Sequence, residues 1–185
     1  MTTIEAGLFR LIESTLKKLD IDYAIGGAVA MSVAGYTRQT EDLDVFFNHR
    51  DTPTMLRALR AASIRFATLA EPYHYAIIPS VENPDHRVDL LFTSEDLEVD
   101  AVAFPDAAAV SVGRRTVTVN VFPPVLLKTA KVRSDRAKDH DDVRRMHDRG
   151  LIDPDEILKT LRHYREPRAA KRLKDILAGR DPDGG

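Results

Sequence analysis

The stretch GGAVAMSVAGYTRQTEDLDV, residues 26–45, decides the fold of this chain. Its glycine pair, Gly26-Gly27, directly follows the short apolar segment Tyr23-Ala-Ile25, which predicts a strand that ends at a glycine turn. Residues 28–34 are small and apolar without alternation and are followed by a glycine, which predicts a buried helix. β-Branched and aromatic residues at 43–47 then predict a second strand.

Two carboxylates lie at the start of that second strand. Side chains two residues apart on a strand point to the same face, so Asp42 and Asp44 are expected side by side while Leu43 and Val45 face the core. Adjacent like charges repel and destabilise the fold unless a cation neutralises them. Carboxylate oxygens and substrate phosphates together are what Mg²⁺ prefers.

A third acid, Asp89, is predicted on a strand over residues 87–92, on the face opposite its apolar neighbours. If that strand pairs beside residues 43–47, Asp89 joins Asp42 and Asp44. An ion pair with Arg87 is the simpler alternative for Asp89, but relief of repulsion by metal accounts better for three acids on one face. Three carboxylates on neighbouring strands can hold two ions about 3.5–4 Å apart, which suits in-line displacement at phosphorus. Mg²⁺ or Mn²⁺ is therefore the predicted cofactor.

The glycine pair supplies a second element of a phosphate site. Without side chains, Gly26 and Gly27 let backbone N–H groups approach phosphate oxygens at the start of a helix. A glycine pair alone, or an Asp-x-Asp alone, is more often a plain turn or a solvated strand end. Their occurrence together, in this order and with a third acid downstream, favours a nucleotide site.

These residues resemble the nucleotidyltransferase superfamily with the DNA polymerase β-like fold, whose signature is a Gly-Gly turn followed by an acid-hydrophobic-acid-hydrophobic strand. The stretch looks most like the AbiEii/MenT-type toxin branch, in which a GG-helix-R-x-[ST]-x-D-[IL]-D pattern recurs with Arg38 and Thr40 in register. The likeness covers about residues 20–148. It implies an α+β fold with a mixed sheet flanked by helices and a helical C-terminal part, and a nucleoside triphosphate (NTP) site.

A downstream motif extends the resemblance. Lys128, followed by Lys138-Asp139 and Asp142, is similar to that branch's Lys and K-D-x-x-D motif. The resemblance implies that Lys128 binds phosphate and that a downstream Asp lies near the catalytic centre. Arg38 and Lys128 both suit a triphosphate, Arg as a fork and Lys as a point charge. Asp139 either orients Lys128 or accepts a hydrogen bond from the ribose or base, and a salt-bridged helix surface is an equal alternative for this motif.

The rest of the chain predicts strands over 73–78 and 116–122 and helices over 4–19, 52–62, 125–133, 137–148, 154–164 and 167–178. The expected organisation is a catalytic core at 1–122, a helical region at 123–180 packed on it, and a disordered tail at 181–185. The charge also changes along the chain: residues 1–113 carry 9 basic and 17 acidic side chains, whereas residues 114–185 carry 18 basic and 12 acidic side chains. The cations of the last two helices are Arg162, Arg165, Arg168, Lys171, Arg172 and Lys174.

The function that follows is transfer of a nucleoside monophosphate from an NTP to an acceptor hydroxyl, with release of pyrophosphate. Asp42 and Asp44 bind both metals, and Asp89 binds one and can act as a base. The resemblance implies a toxin-antitoxin or phage-defence toxin that acts on tRNA and has a cognate antitoxin. The alternatives are an antibiotic or another small molecule as acceptor, a protein hydroxyl as acceptor, and a catalytically silent domain that binds a nucleotide or a partner.

Composition excludes several other classes. The chain has 185 residues, no cysteine and a formal net charge of -2, which argues against disulfide scaffolds, thiolate zinc sites and indiscriminate polyanion binding. The longest apolar run, residues 24–34, is far below the roughly 20 residues that a membrane span needs. We therefore expect a cytoplasmic protein without a membrane segment.

Overall fold

A seven-stranded mixed sheet with helices packed against it forms the framework of the computed structural model. The structure describes residues 6–37, 40, 42–69, 75–80, 86–112 and 114–180. The strands are β1 (Tyr23–Ile25), β2 (Asp42–Asn48), β3 (Ala67–Leu69), β4 (Tyr75–Pro79), β5 (Arg87–Thr93), β6 (Asp106–Val112) and β7 (Arg115–Val121). The helices are α1 (Ala6–Leu19), α2 (Gly27–Val33), α3 (Thr52–Ala61), α4 (Asp96–Ala103), α5 (Pro124–Arg133), α6 (Ala137–Asp148), α7 (Pro154–His163) and α8 (Pro167–Leu177).

The strand order across the sheet is β3-β4-β5-β2-β1-β7-β6. β2 runs parallel to β5 and antiparallel to β1, and β1 runs parallel to β7. β4 and β6 pair antiparallel with β5 and β7, respectively. The two strands that carry the predicted acids are therefore direct neighbours at the centre of the sheet.

β2 shows why this sheet has one core face and one partly open face. Leu43, Val45 and Phe47 are buried, whereas the residues between them, including Asp44 and Phe46, are half-buried. Alternation of this kind directs every second side chain into the hydrophobic core. The acids consequently project from the other face, where helices of the C-terminal part approach.

α5 is the centre of the helical part, because it contacts five other helices: α2, α4, α6, α7 and α8. Its buried residues include Leu127 and Val132. α8 is strongly amphipathic and buries Leu173 and Ile176, and the side chain of Arg172 donates hydrogen bonds to backbone carbonyls after α5. Arg172 of α8 thus holds the end of α5 and the start of the segment that leads to α6.

The predicted α+β fold class is confirmed, and the helices and strands predicted from the sequence occur with bounds that differ by one or two residues. The first residues of the helix predicted over 4–19 and of the strand predicted over 73–78 lie outside the described residues, as does the tail at 181–185. The domain boundary at residue 122 stays a prediction.

Within the described residues, the elements that were not predicted include α4, β3, β6 and a 3-10 turn at His49–Asp51. β6 reads DAAAVSV, whose alanines have low strand propensity, and it forms because it pairs along its whole length with β7. α4 reads DLEVDAVA, in which Asp and Val are poor helix formers; it is stabilised by burial of Leu97, Ala101 and Val102. In both cases tertiary contacts override local preference.

Candidate active site

The register between β2 and β5 brings the predicted acids together. Asp44 lies directly opposite Asp89, and Asp42 lies opposite Arg87. Registered residues of neighbouring strands share a face, so Asp42, Asp44 and Asp89 all project from the same side of the sheet. The structure therefore juxtaposes the three carboxylates that the sequence singled out.

Arg87 forms ion pairs with two of these acids. Its Nη2 lies 3.1 Å from Oδ2 of Asp42, and its Nε donates to Oδ1 of Asp89 at 2.9 Å. The ion pair predicted as the simpler alternative for Asp89 is thus present. As arranged here, no group of three His, Cys, Asp or Glu side chains within the described ranges has the geometry to hold a metal ion.

Asp44 differs from its two neighbours. No residue in the described part of the chain forms an ion pair with Asp44. Burial raises the pKa of Asp44, and the nearby carboxylates of Asp89 and Asp42 raise it further, while Arg136 and Lys131 act in the opposite direction. A half-buried carboxylate with uncompensated repulsion fits a divalent cation, and carboxylate oxygens are the donors that Mg²⁺ and Mn²⁺ accept.

The glycine turn is packed directly against these carboxylates. Gly27 has a φ of +54°, and a Cβ at this position would lie 1.7 Å from Oδ2 of Asp44. A Cβ at Gly26 would lie 2.5 Å from Cε2 of Phe46. The N–H of Gly26 donates to the carbonyl of Asp44 at 3.0 Å, which ties the start of α2 to β2. A Cβ at either position would therefore force the neighbouring side chain to move, and the positive φ of Gly27 adds backbone strain to any replacement there.

A cavity of about 500 Å³ lies between this face of the sheet and the helical part. Its apolar side includes Phe46 and Phe122, whose ring centroids are 4.7 Å apart. Among the described residues, the lining is formed by Gly27, Asp44, Phe46, Leu91, Glu98, Phe122, Leu127, Ala130, Lys131, Arg133, Ser134, Arg136, Asp139 and Glu166. The cavity joins the acidic centre to a mixed charged wall, and its volume is typical of small-molecule sites.

A buried ion cluster forms part of that wall. Nζ of Lys131 lies 2.6 Å from Oδ1 of Asp139 and 2.9 Å from Oδ2 of Asp142, and all three side chains are buried. Burial by itself raises the pKa of Asp139, but the Lys131 ammonium and hydrogen bonds from Lys131 and Ser134, together with the Arg136 charge, lower it overall. The downstream acids are hence part of an ordered network beside the cavity.

The predicted role of Asp139 toward Lys128 changes accordingly. Asp139 holds Lys131, one helical turn later, and Lys128 is not among the residues that line the cavity. Lys131 was missed because only one Lys of this helix was matched to the downstream acids. Asp139 and Asp142 meet Lys131 because α5 and α6 pack together, and the sequence itself does not distinguish Lys131 from Lys128.

The two remaining side chains predicted to bind the nucleotide are Thr40 and Arg38. The hydroxyl of Thr40 donates to the carbonyl of Asp42 at 3.2 Å and accepts from its N–H at 3.3 Å, so Thr40 supports the start of β2. Arg38 lies outside the described residues.

Arg133 and Arg136 were not predicted and add cationic groups to the cavity. Arg133 forms ion pairs with Glu98 at 3.0 Å and with Glu166 at 2.9 Å. Burial raises the pKa of Glu98, and the Arg133 guanidinium partly offsets this effect. These contacts join residues more than 30 positions apart in the chain, so neither spacing nor local composition indicated them.

The profile of the aminoglycoside-2″-adenylyltransferase family matches residues 8–100, half of the chain. This segment contains the glycine turn and Asp42, Asp44 and Asp89. The chain belongs to this family. The predicted superfamily and the prediction of an NTP-dependent nucleotidyltransferase are therefore confirmed, and the matching family is not the AbiEii/MenT branch that the sequence resembles. A comparison with curated proteins finds no match.

Solved structures show the same fold at low sequence identity. The crystal structure of ANT(2″)-Ia in complex with adenylyl-2″-tobramycin has a TM-score of 0.54 and 14% identity, over 88% of this chain and 97% of that one. An antigenic nucleotidyltransferase-like protein from Paracoccidioides brasiliensis has a TM-score of 0.53 and 17% identity, over 94% of this chain and 85% of that one.

In the part of the chain described here, every helix is too short or too polar to cross a bilayer.

Proposed function

We propose that this nucleotidyltransferase moves AMP from ATP to a hydroxyl of an aminoglycoside-like small molecule. The observation that carries the proposal is the family match over residues 8–100, the segment whose register brings Asp89 beside Asp44, which lines the cavity. A cavity of about 500 Å³ is in the usual range for such ligands.

In this proposal, Asp42, Asp44 and Asp89 bind two Mg²⁺ or Mn²⁺ ions. When bound, the ions supply charge neutralisation for the triphosphate and the leaving pyrophosphate. Asp89 also accepts the proton of the acceptor hydroxyl, whose oxygen attacks the α-phosphorus. Catalysis then comes mainly from positioning of the two substrates and from charge neutralisation.

Two cationic side chains on the wall of the cavity are candidates for contact with the triphosphate. Lys131 and Arg136 act on Asp44 electrostatically and line the same cavity, which makes them better candidates for phosphate contact than Lys128. Lys131 is held at two carboxylates, so it is presented in one fixed position. Arg38 remains a candidate on the sequence pattern, and Gly26 and Gly27 remain candidates for backbone contact with phosphate.

The acidic side of the cavity suits a cationic acceptor. Glu98 and Glu166 line it, and each shares the single guanidinium of Arg133. An aminoglycoside carries several ammonium groups next to its hydroxyls, so these carboxylates offer it charge-assisted hydrogen bonds. The hydroxyl can then be held near Asp89 while the amines contact Glu98 and Glu166.

The test is incubation of the full chain with Mg²⁺, each labelled NTP, a panel of aminoglycosides and, in a separate arm, total tRNA. We expect label from ATP on an aminoglycoside, with an equimolar release of pyrophosphate. The Asp44→Asn and Asp89→Asn variants should be at least about 1000-fold slower, whereas Asp141→Asn, on the exposed surface of α6, should retain full activity. Absence of label from every small molecule would overturn the proposal.

A nucleic-acid acceptor is the second candidate, in line with the toxin hypothesis and its cognate antitoxin. It is favoured by a row of exposed cations on and before α8, formed by Arg165, Arg168, Lys171 and Lys174. Side chains three apart on a helix are neighbours, so Arg168, Lys171 and Lys174 form a basic strip on α8, and Arg165 lies just before that helix. Label on the 3′ end of tRNA, lost when these residues are replaced together by Gln, would support this candidate over the first.

A further inference from the structure

Arg87 lies where the proposed metal site requires a cation. Its guanidinium bridges Asp42 and Asp89, two of the three carboxylates assigned to the ions. Within the described residues, the three acids do not form a group that can hold a metal. One oxygen of Asp42 and one of Asp89 are thus engaged by the guanidinium of Arg87.

We propose that Arg87 is a built-in counter-cation: it neutralises Asp42 and Asp89 in the metal-free enzyme and must leave both carboxylates when the divalent ions bind. The inference rests on the metal site of the proposed function. It makes Arg87 a positioning residue that competes with the ions for the same oxygens.

The register explains why one side chain can hold two acids. Arg87 is the direct neighbour of Asp42 across the strand pair and lies two residues before Asp89 on its own strand. All three side chains therefore share one face, with Arg87 at its edge. Nε and Nη2 of the guanidinium fork each contact a different carboxylate, which a point charge such as Lys cannot reproduce in the same way.

The solvent exposure of Arg87 and Asp42 allows the ion pair between them to break and re-form. The side chain of Arg87 is 44% exposed and that of Asp42 is 34% exposed, so this ion pair is solvent-screened and weak. Asp89 is 7% exposed and gains more from a counter-charge. Arg87 begins β5 at an exposed position, so displacement of its guanidinium by an ion leaves the core intact, and Asp44 lines the cavity on the same face of the sheet.

Mn²⁺ binding to the nucleotide-free full chain tests this inference, measured by electron paramagnetic resonance as the free-ion signal in a titration. Arg87→Gln should lower the Kd for Mn²⁺ about three- to tenfold. The matched control is Arg115→Gln: Arg115 is also exposed and also begins a strand, but β7 runs opposite to β5 in the sheet. This control should leave the Kd within about twofold of the wild type.

Arg87→Lys provides a second variant if Arg87→Gln does not fold. It keeps the charge but lacks the planar fork whose Nε and Nη2 each hold one carboxylate, so it too should bind Mn²⁺ more tightly than the wild type. Mn²⁺ should also raise the Tm of either variant more than it raises the wild-type Tm.

Two outcomes overturn the inference, and they are distinguishable. If the wild type binds Mn²⁺ and both Arg87 variants bind it no more tightly, Arg87 does not compete with the ions, and the proposed function stands without it. If none of the three proteins binds Mn²⁺, the metal site itself is lost, and the inference with it.

Discussion

Gly27 and Asp44 are in contact so close that no side chain fits between them. A Cβ at Gly27 would lie 1.7 Å from Oδ2 of Asp44 and 2.8 Å from its Cγ. The first residue of α2 thus fixes where the carboxylate on β2 can be. This contact explains why the glycine turn and the acidic strand occur together in the sequence: each requires the other for the site to form.

Gly27→Ala should abolish activity by displacing Asp44. The alanine Cβ would occupy the position of the carboxylate, which must then rotate away from Asp89, and we expect a loss of at least about 100-fold in kcat/KM. The positive φ adds a destabilisation of about 1 kcal/mol. Enzyme kinetics and urea unfolding measure the two effects separately.

Gly150→Ala is the matched control for that variant. Gly150 also has a positive φ, +68°, but no atom of the described residues lies within 4 Å of the position that a Cβ would take. Gly150→Ala should lower the free energy of unfolding by the same amount, because of its positive φ, and should keep full activity. Equal activity losses in both variants would contradict the role assigned to the contact between Gly27 and Asp44.

Asp44→Asn should stabilise the metal-free protein at neutral pH. Burial and the carboxylates of Asp89 and Asp42 raise the pKa of Asp44 above its usual 3.8, so the folded chain binds its proton more tightly than the unfolded chain. The free energy of unfolding therefore falls as the pH rises from about 3.8 through the raised pKa. Removing the charge should add about 1 kcal/mol, or about 2–4 °C in Tm.

Metal response provides the second readout for this variant. Mg²⁺ should raise the Tm of the wild type and have little effect on Asp44→Asn. Asp89→Asn serves as the contrast, because Asp89 is neutralised by Arg87 and its loss removes a favourable contact. A lower Tm for Asp44→Asn than for the wild type in EDTA would contradict the assigned repulsion.

How much of this site the sequence reveals depends on where its residues lie in the chain. Asp42 and Asp44 are two apart on one strand, so the period of two predicted their shared face. Asp89 needed one further assumption, that its strand is a neighbour of β2. The glycine turn was recognisable because close approach leaves a local mark on the sequence.

The charged residues that line the cavity have no comparable pattern in the sequence. Lys131 meets Asp139 and Asp142 only because α5 and α6 pack together, and Arg133 meets Glu98 and Glu166 across more than 30 positions. Lys128 and Lys131 look alike in sequence, and the packing of α5 decides which of them is buried. Side chains brought together by helix packing were therefore beyond prediction, as were β3, α4 and β6.

Lys131→Met should be far more destabilising than Lys128→Met. Without its ammonium, Asp139 and Asp142 remain as buried carboxylates, with Arg136 still beside Asp139, and we expect a loss of about 3–5 kcal/mol. Lys128 is half-buried and lies outside the cavity lining, so its replacement should cost less than about 1 kcal/mol. Urea unfolding of both variants at pH 7 measures the difference; equal losses would exclude the cluster as a structural element.

Asp139 should make stability fall on acidification. Although burial opposes it, contacts with Lys131, Ser134 and Arg136 lower the pKa of Asp139 below its usual 3.8. The unfolded chain thus takes up the proton first, and the contribution of Asp139, present above pH 3.8, is lost as the pH falls through the lowered pKa. The Asp139→Asn variant should be less stable than the wild type by about 2–4 kcal/mol at pH 7, and this difference in stability should narrow steadily below pH 4.

Asp141→Asn is the control: it removes an exposed pair with Arg144 from the same helix and should change stability by less than about 1 kcal/mol over the whole pH range. A gap for Asp139→Asn that is constant from pH 7 to pH 3 would show that its charge is not what holds Lys131.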